Sequence, residues 1–372
     1  MITCCTYTYN DAGLLRGFLA DMPKWSVQPD EVVIVDDGSD EPFACEDSSL
    51  NGAPLRIIRL PDNRGFFVSK SIAYSEASGD VILAADCDAR LSARFLEYCL
   101  THLKNPKTGM VTGARVQDVG HGPVGEFLRM FGDNYRQDLP GPVDFIPAIA
   151  FAMRSNVWRE IGGFGDRTAG IGEDHVLCGR VKARGYALVC DPRIFVNQVR
   201  RLDRIAVCRR YWRWLSGNAM AFMRRTPSLP EGLYGCFVQP MLRRIEISVR
   251  RDAPASVYVD MLYVTSHIAL TCQELEASGD IAPGCCLSFL RRLEEKLRPW
   301  PVLARLLKAD LLRVGVAWPH PAPNATPAVD WDAVLVFLEI CAESKLFDWL
   351  NADGVRHVLE EEAEGADFSA YR

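Results

Sequence analysis

Between Ile2 and about Gly113, short apolar runs alternate with longer stretches of helical period, and this rhythm restricts the fold more than any other feature. The runs Ile2 to Thr6, Glu31 to Val35, Leu55 to Leu60 and Val81 to Ala85 have the length and residue types of strands. Ala12 to Asp21 and Phe67 to Ala77 have the spacing of helices, the second stopped by Gly79. Strand, helix and strand in series build β-α-β units, so the expected class is α/β with a mostly parallel sheet flanked by helices. In open sheets of this kind ligands sit beyond the carboxyl ends of the strands. Three of those ends carry Tyr7-Thr8-Tyr9-Asn10, Asp36-Asp37-Gly38-Ser39 and Asp86-Cys87-Asp88.

Asp86 and Asp88 stand two positions apart where a buried strand ends, which is a favourable place to hold a divalent cation. Mg²⁺ and Mn²⁺ prefer oxygen ligands and take one or two carboxylates, with water and substrate phosphate completing the shell. Two acids that merely end a strand would look the same in isolation.

Composition narrows the partners. The chain has 372 residues, 48% hydrophobic and 24% charged, enough for a sizeable core and two domains. A formal net charge of -6 gives no basic field for a nucleic acid, so none is expected. The cysteines number thirteen, odd and scattered, which fits reduced thiols better than a disulfide framework. Met1 leads straight into strand-like residues, so no secretory leader is expected. The longest apolar stretch, Val257 to Cys272, includes Asp260 and His267 and does not read as a membrane span. The expected location is cytoplasmic, with any membrane contact peripheral at the inner face.

The segment from Met110 to about Gln198 is richer in Gly and Pro and contains Gly162-Gly163-Phe164-Gly165 and Gly170-Ile171-Gly172-Glu173-Asp174. After Arg200 come amphipathic helical patterns at Val207 to Arg225, Ser256 to Ala277, Leu287 to Val314 and Trp331 to Leu350. The expected domains are residues 1–228 and 229–372, the second wholly helical and available for acceptor binding, packing or homo-oligomer formation.

A T-Y-N after the first strand, V-D-D-G-S after the second, N-x-G before a helix, D-x-D after the fourth strand, then G-G-F and G-E-D, resembles the family 2 glycosyltransferases of GT-A fold. The resemblance covers about the first 200 residues. It implies a Rossmann-like GT-A domain and an inverting transferase that uses a nucleotide sugar, as in cell-surface polysaccharide biosynthesis. It also implies a nucleotide site at Thr8, Tyr9, Asp36, Asp37, Asn63, Lys70 and Asp86, with Mn²⁺ or Mg²⁺ on Asp88 and Asp86. Asp174 becomes the catalytic base, with Glu173 beside it contacting acceptor or donor sugar. The sequence departs from the family at Lys70, where Arg is usual, and at Ser71 and Ala73. Where relatives carry a His after a D-P turn, this chain has Asn197-Gln198 after Asp191-Pro192.

The chemistry of these residues is compatible with those roles. Uracil offers an imide N–H that a carboxylate accepts and a ring face on which Tyr9 can pack, so a UDP-sugar is the expected donor; the resemblance favours Asp37 over Asp36 for the base. The same Asp36 to Ser39 stretch also reads as an Asx turn with Gly38 in the left-handed region. Lys70 and Arg64 read either as diphosphate contacts or as solvated helix-face cations. An acid in the first turn of a helix is kept ionised by the macrodipole, as a base at Asp174 must be. Arg210, Trp212, Arg213 and Trp214 match an R-x-x-R-W acceptor motif of polysaccharide synthases in the family, and equally an aromatic helix packed on its neighbours. The acceptor is expected to be a glycan, a lipid-linked sugar or a protein. Two rival functions are a nucleotidyltransferase, whose glycine-rich loop Thr6 to Gly13 lacks, and a non-catalytic nucleotide-sugar binder.

Overall fold

The computed structural model describes residues 1–45, 49–117, 122–131, 140–165, 172–250, 254–318, 329–343, 346–349 and 351. They form two compact units. One holds the described residues up to 117 and from 140 to 200; the other holds 122–131 and those from 201 onward.

The first unit is built on strands β1 (Ile2–Thr8), β2 (Glu31–Asp36), β3 (Ser49–Leu50), β4 (Ala53–Arg59), β5 (Val81–Ala85), β6 (Ala89–Leu91), β7 (Thr108–Gln117), β8 (Gly141–Val143), β9 (Ala150–Arg154) and β10 (Ala187–Gln198). Their order is β3-β4-β2-β1-β5-β9-β7-β10-β6, with β8 on β10. The ladders β2 to β4, β1 to β2, β1 to β5 and β7 to β10 are parallel, and the others are antiparallel. The expected α/β sheet is therefore present, as a mixed sheet whose longest ladders are parallel. The expected helices are α1 (Ala12–Asp21) and α2 (Phe66–Ser75), joined in this unit among the described residues by α3 (Phe95–Leu103), α5 (Ser155–Ile161) and α6 (Glu173–Ala183), while α4 (Gly122–Phe131) belongs to the second unit.

Side chains alternate across this sheet because successive residues of a strand point to opposite faces. Cys4, Val32, Ile34 and Leu83 pack with Leu15, Phe18, Phe95 and Leu96 of α1 and α3. Cys5, Val33, Val35, Ile82 and Ala84 pack with Phe67, Tyr74, Trp158 and Val181 from α2, α5 and α6. Both faces are covered, which is why β2 and β5 carry continuous apolar runs, Val32 to Val35 and Val81 to Ala85, rather than alternating.

The second unit comprises α4, α7 (Arg204–Met223), α8 (Leu229–Leu233), α9 (Gln239–Arg250), α10 (Pro254–Ser278), α11 (Cys285–Lys296), α12 (Pro301–Val314), α13 (Val336–Glu343) and α14 (Leu346–Trp349). The sequence pattern missed α9. The stretch Leu287 to Val314 is two helices because Pro299 and Pro301 interrupt it. The division between units falls after Arg200, whereas the sequence placed a boundary at 228. The difference is α7, which buries Val207, Cys208 and Met220 in the helical core around α10.

Helix α10 is buried on nearly all sides, as a central bundle helix must be. Two of its buried polar residues are anchored by hydrogen bonds: Asp260 takes both Nε and Nη2 of Arg244, at 2.8 and 2.6 Å, and His267 Nδ1 donates to the Tyr263 carbonyl at 2.7 Å, while His267 Nε2 and Thr271 Oγ1 are buried without a partner. A second buried pair joins Arg204 to Asp310 at 2.6 Å, with the Tyr258 hydroxyl donating to the same carboxylate. Among the described residues no helix is long and apolar enough to cross a membrane. All thirteen cysteines are free thiols.

Candidate active site

The strand exits of the first unit converge as the order β2-β1-β5 requires. β1 ends at Thr8, buried with its hydroxyl unpartnered, and Tyr9 stands out 38% exposed. Asn10 has a φ of 55° and joins the neighbouring exit: its amide N–H donates to Ser39 Oγ at 2.9 Å, and its side chain exchanges hydrogen bonds with Asp40.

At the β2 exit the two acids divide the work. Asp36, fully buried, accepts from the backbone N–H groups of Ser39 and Phe43 at 3.0 and 2.9 Å and from Arg59 Nη1 at 2.6 Å. Burial pushes its pKa up, but these donors outweigh it and hold the carboxyl below its usual range. Asp36 is thus the Asx anchor of the turn. Asp37 carries one oxygen on the Arg64 N–H, 2.8 Å away, while its own N–H donates to Thr8 O. Gly38 is required: its φ is 71°, and a Cβ there would lie 2.4 Å from the Asp62 carbonyl carbon. Asn63 is exposed and accepts from the Gly65 N–H at 2.9 Å, shaping the entry to α2.

Lys70 is only 2% exposed, so it is no solvated helix-face cation. Its ammonium donates to Ala148 O at 2.9 Å and Glu173 Oε1 at 3.1 Å and lies 3.0 Å from Asp86 Oδ1. The first two contacts are hydrogen bonds and the third is an ion pair. Burial pushes the Asp86 carboxyl up to about 7, opposed by Lys70 and reinforced by Asp88.

Asp88, 4% exposed, presents Oδ2 to Gln198 Nε2 at 3.1 Å and to Arg200 Nε at 2.9 Å. The Val199 N–H also donates to Asp88 O, so the exit of β10 lies along the D-x-D. Gln198 spends its oxygen on Arg115 Nη2 at 3.0 Å and its nitrogen on Asp88, so it steadies Asp88 as a donor. Asn197 is registered against Arg90 of β6.

Asp86 Oδ1, whose contact with Lys70 is off hydrogen-bond geometry, and Asp88 Oδ1 are buried and accept no hydrogen bond. Two such oxygens fit a hard cation that takes one or two carboxylates, so Asp86 and Asp88 are the residues that would hold it. Among the described residues no group of three or more His, Cys, Asp or Glu side chains is arranged for a metal.

Gly172, with a φ of 98°, starts α6, and Glu173 and Asp174 occupy its first turn as expected. Asp174 Oδ1 accepts from the adjacent His175 N–H at 2.9 Å. Burial, then the Glu173 carboxylate, raise the Asp174 pKa above its ordinary value. The preceding Gly170 and Ile171 lie outside the described residues.

The R-x-x-R-W residues lie on α7, in the second unit. Arg210 sits 4.4 Å over the Trp214 ring, Trp212 packs edge-on to His267 at 5.5 Å, and Arg213 is exposed. Sequence reasoning missed Asp11 and Arg200, which pair through both Asp11 oxygens, at 3.0 and 2.5 Å. Arg200 opens one of several arginine doublets in the chain, and nothing local in the sequence marks it apart.

The strand exits thus bring the paired acids Asp86 and Asp88 into one unit with the acids at the start of α6, which Lys70 links to Asp86. Residues 3–162 match the family described as Glycosyl transferase family 2, and this stretch is a domain of that family. The chain is 28% identical over 168 residues to the pre-mycofactocin glycosyltransferase of Mycobacterium tuberculosis, covering 43% of this chain and 36% of that protein. It is 24% identical over 229 residues to the glucosyl-dolichyl phosphate glucuronosyltransferase of Haloferax volcanii, covering 58% and 72%. The alignment thus spans little more than a third of the mycobacterial relative. A solved mannosyltransferase from Pyrobaculum calidifontis, in complex with GDP-Man and Mn²⁺, superposes with a TM-score of 0.42 at 17% identity, covering 85% of this chain and 86% of that one.

Proposed function

We propose that this chain moves a sugar from a UDP-sugar to a hydroxyl of a glycan, lipid-linked or protein acceptor, with inversion and with Mn²⁺ or Mg²⁺ at the diphosphate. The observation that carries this reading is Lys70, within 3.0 Å of Asp86 Oδ1 and 3.1 Å of Glu173 Oε1, which joins the diphosphate motif to the base motif. The family membership of residues 3–162 and the names of both relatives support it.

In this reading Asp37 accepts the imide N–H of the base, Tyr9 packs on its face, and Thr8 and Asn63 flank the nucleotide. Asp36 keeps that turn in place through Arg59. Lys70 fixes Asp86 and Glu173 at the diphosphate end. A divalent ion held by Asp86 and Asp88 would stabilise the charge that develops on the leaving diphosphate. Asp174 takes the proton of the acceptor hydroxyl as its oxygen bonds to the anomeric carbon and the bond from that carbon to the diphosphate oxygen breaks. One base and one displacement, without an enzyme nucleophile, give inversion. Glu173 contacts the sugar, and Arg210, Trp212, Arg213 and Trp214 serve the acceptor. The setting proposed is cytoplasmic, peripheral to the membrane, in cell-surface glycan assembly.

The test is nucleoside-diphosphate release from UDP-, GDP- and dTDP-sugars, with and without Mn²⁺, by wild type and Asp174→Asn. At least one donor, a UDP-sugar, should be turned over only with metal, and Asp174→Asn should be nearly inert. Release from no donor, or full activity in Asp174→Asn, would sink the mechanism.

A further inference from the structure

The carboxylates of the donor site are neutralised from within the chain before any ion arrives. Arg200 places Nε 2.9 Å from Asp88 Oδ2, and its two terminal nitrogens lie 3.0 and 2.5 Å from the two oxygens of Asp11. All three side chains are largely buried: 21% of Arg200, 16% of Asp11 and 6% of Asp88 remain exposed. The guanidinium is planar, always charged and forked, so it binds two carboxylates at once where a lysine ammonium acts as a point charge. Asp11, Asp86, Asp88 and Glu173 thus face two fixed cations, Lys70 and Arg200. The second acts on the acid expected to hold the metal.

Resting on the reading of Asp86 and Asp88 as cation ligands, we propose that Arg200 is a built-in competitor for the divalent ion and sets its affinity. It occupies one oxygen of Asp88, cancels much of that carboxylate's charge and keeps Asp11 out of the ligand set. Asp88 Oδ1, buried and without a hydrogen bond, is what it leaves for the ion. The bare site therefore binds metal weakly, and the ion is taken up with the diphosphate, which adds negative charge and oxygen ligands of its own.

Mn²⁺ binding to the full chain, measured by calorimetry with and without UDP, tests this. Wild type should bind Mn²⁺ at least tenfold more tightly with UDP present. Arg200→Met and Arg200→Gln should each tighten UDP-free Mn²⁺ binding at least tenfold, because Asp11 and Asp88 lose their shared cation. Adding Asp11→Asn to either should return affinity toward wild type. Asp11→Asn alone should weaken Mn²⁺ binding at least threefold, because Arg200 then bears on Asp88 alone. A purely structural clamp would lower the melting temperature of these variants without moving Mn²⁺ affinity in opposite directions. Unchanged or weaker binding in a folded Arg200 variant, or unchanged binding in Asp11→Asn, overturns the proposal and leaves the transferase reading standing. A wild type that binds no Mn²⁺ even with UDP overturns both this proposal and the metal part of that reading.

Discussion

Lys70 and Glu173, 103 positions apart in the chain, meet through a 3.1 Å contact between Nζ and Oε1. The ammonium also compensates Asp86, so its loss would strand two largely buried carboxylates. Removing one partner of a buried ion pair costs about 3–5 kcal/mol. Lys70→Met should lose stability of that order in urea unfolding, and transfer should fall with it. Lys70→Arg, which restores the residue usual in the family, should recover most of both.

Asp174 should control the acid limb of the reaction. A base acts only when ionised, and burial and Glu173 raise its pKa. The rate should therefore climb with pH through a pKa above the ordinary aspartate value of about 3.9. Asp174→Asn should lower kcat by about 10²–10⁴-fold. UDP binding, measured by thermal shift, should change little.

The two acids of the β2 exit should separate cleanly. Asp36→Asn leaves three donors facing a side chain with less charge and one poorly matched amide, so melting temperature should fall. Asp37→Asn touches one backbone donor, so its effect should appear in UDP affinity rather than in stability. Calorimetric UDP titration of both folded variants checks this.

His267 links the helical unit to pH. Burial lowers its pKa to about 4, so the folded state resists a proton that the unfolded chain accepts near 6.5. Its contribution is complete above pH 6.5 and is lost as pH falls toward 4. That loss amounts to about 3 kcal/mol at about 1.4 kcal/mol per pH unit. His267→Gln should flatten this part of the stability profile in urea melts taken across the range.

The strands of the first unit were readable because both of their faces are covered, which makes the runs at Val32 to Val35 and Val81 to Ala85 apolar from end to end. The acids at their exits were readable because strand order brings such exits together. Asp36 could not be told from Asp37 in sequence, since only the turn geometry shows which carboxylate turns inward to Ser39, Phe43 and Arg59. Lys70 could be read either as a diphosphate contact or as a surface cation, because its partners, Ala148 and Glu173, are remote in the chain. Arg200 escaped notice for the same reason: its position beside Asp88 depends on the long-range pairing of β10 with β6. In the helical unit the apolar periodicity showed most helices but not α9, and the buried pairs Arg204 with Asp310 and Arg244 with Asp260 were not legible because their partners are set by packing.

A proton-NMR time course of UDP-sugars incubated with the chain and Mn²⁺, water standing in for the acceptor, tests the central claim most directly. UDP should accumulate while the free sugar appears first as the anomer opposite to that of the donor, and Asp88→Asn should abolish both signals. Release of the sugar with its anomeric configuration retained, or no release from any donor, would contradict the account.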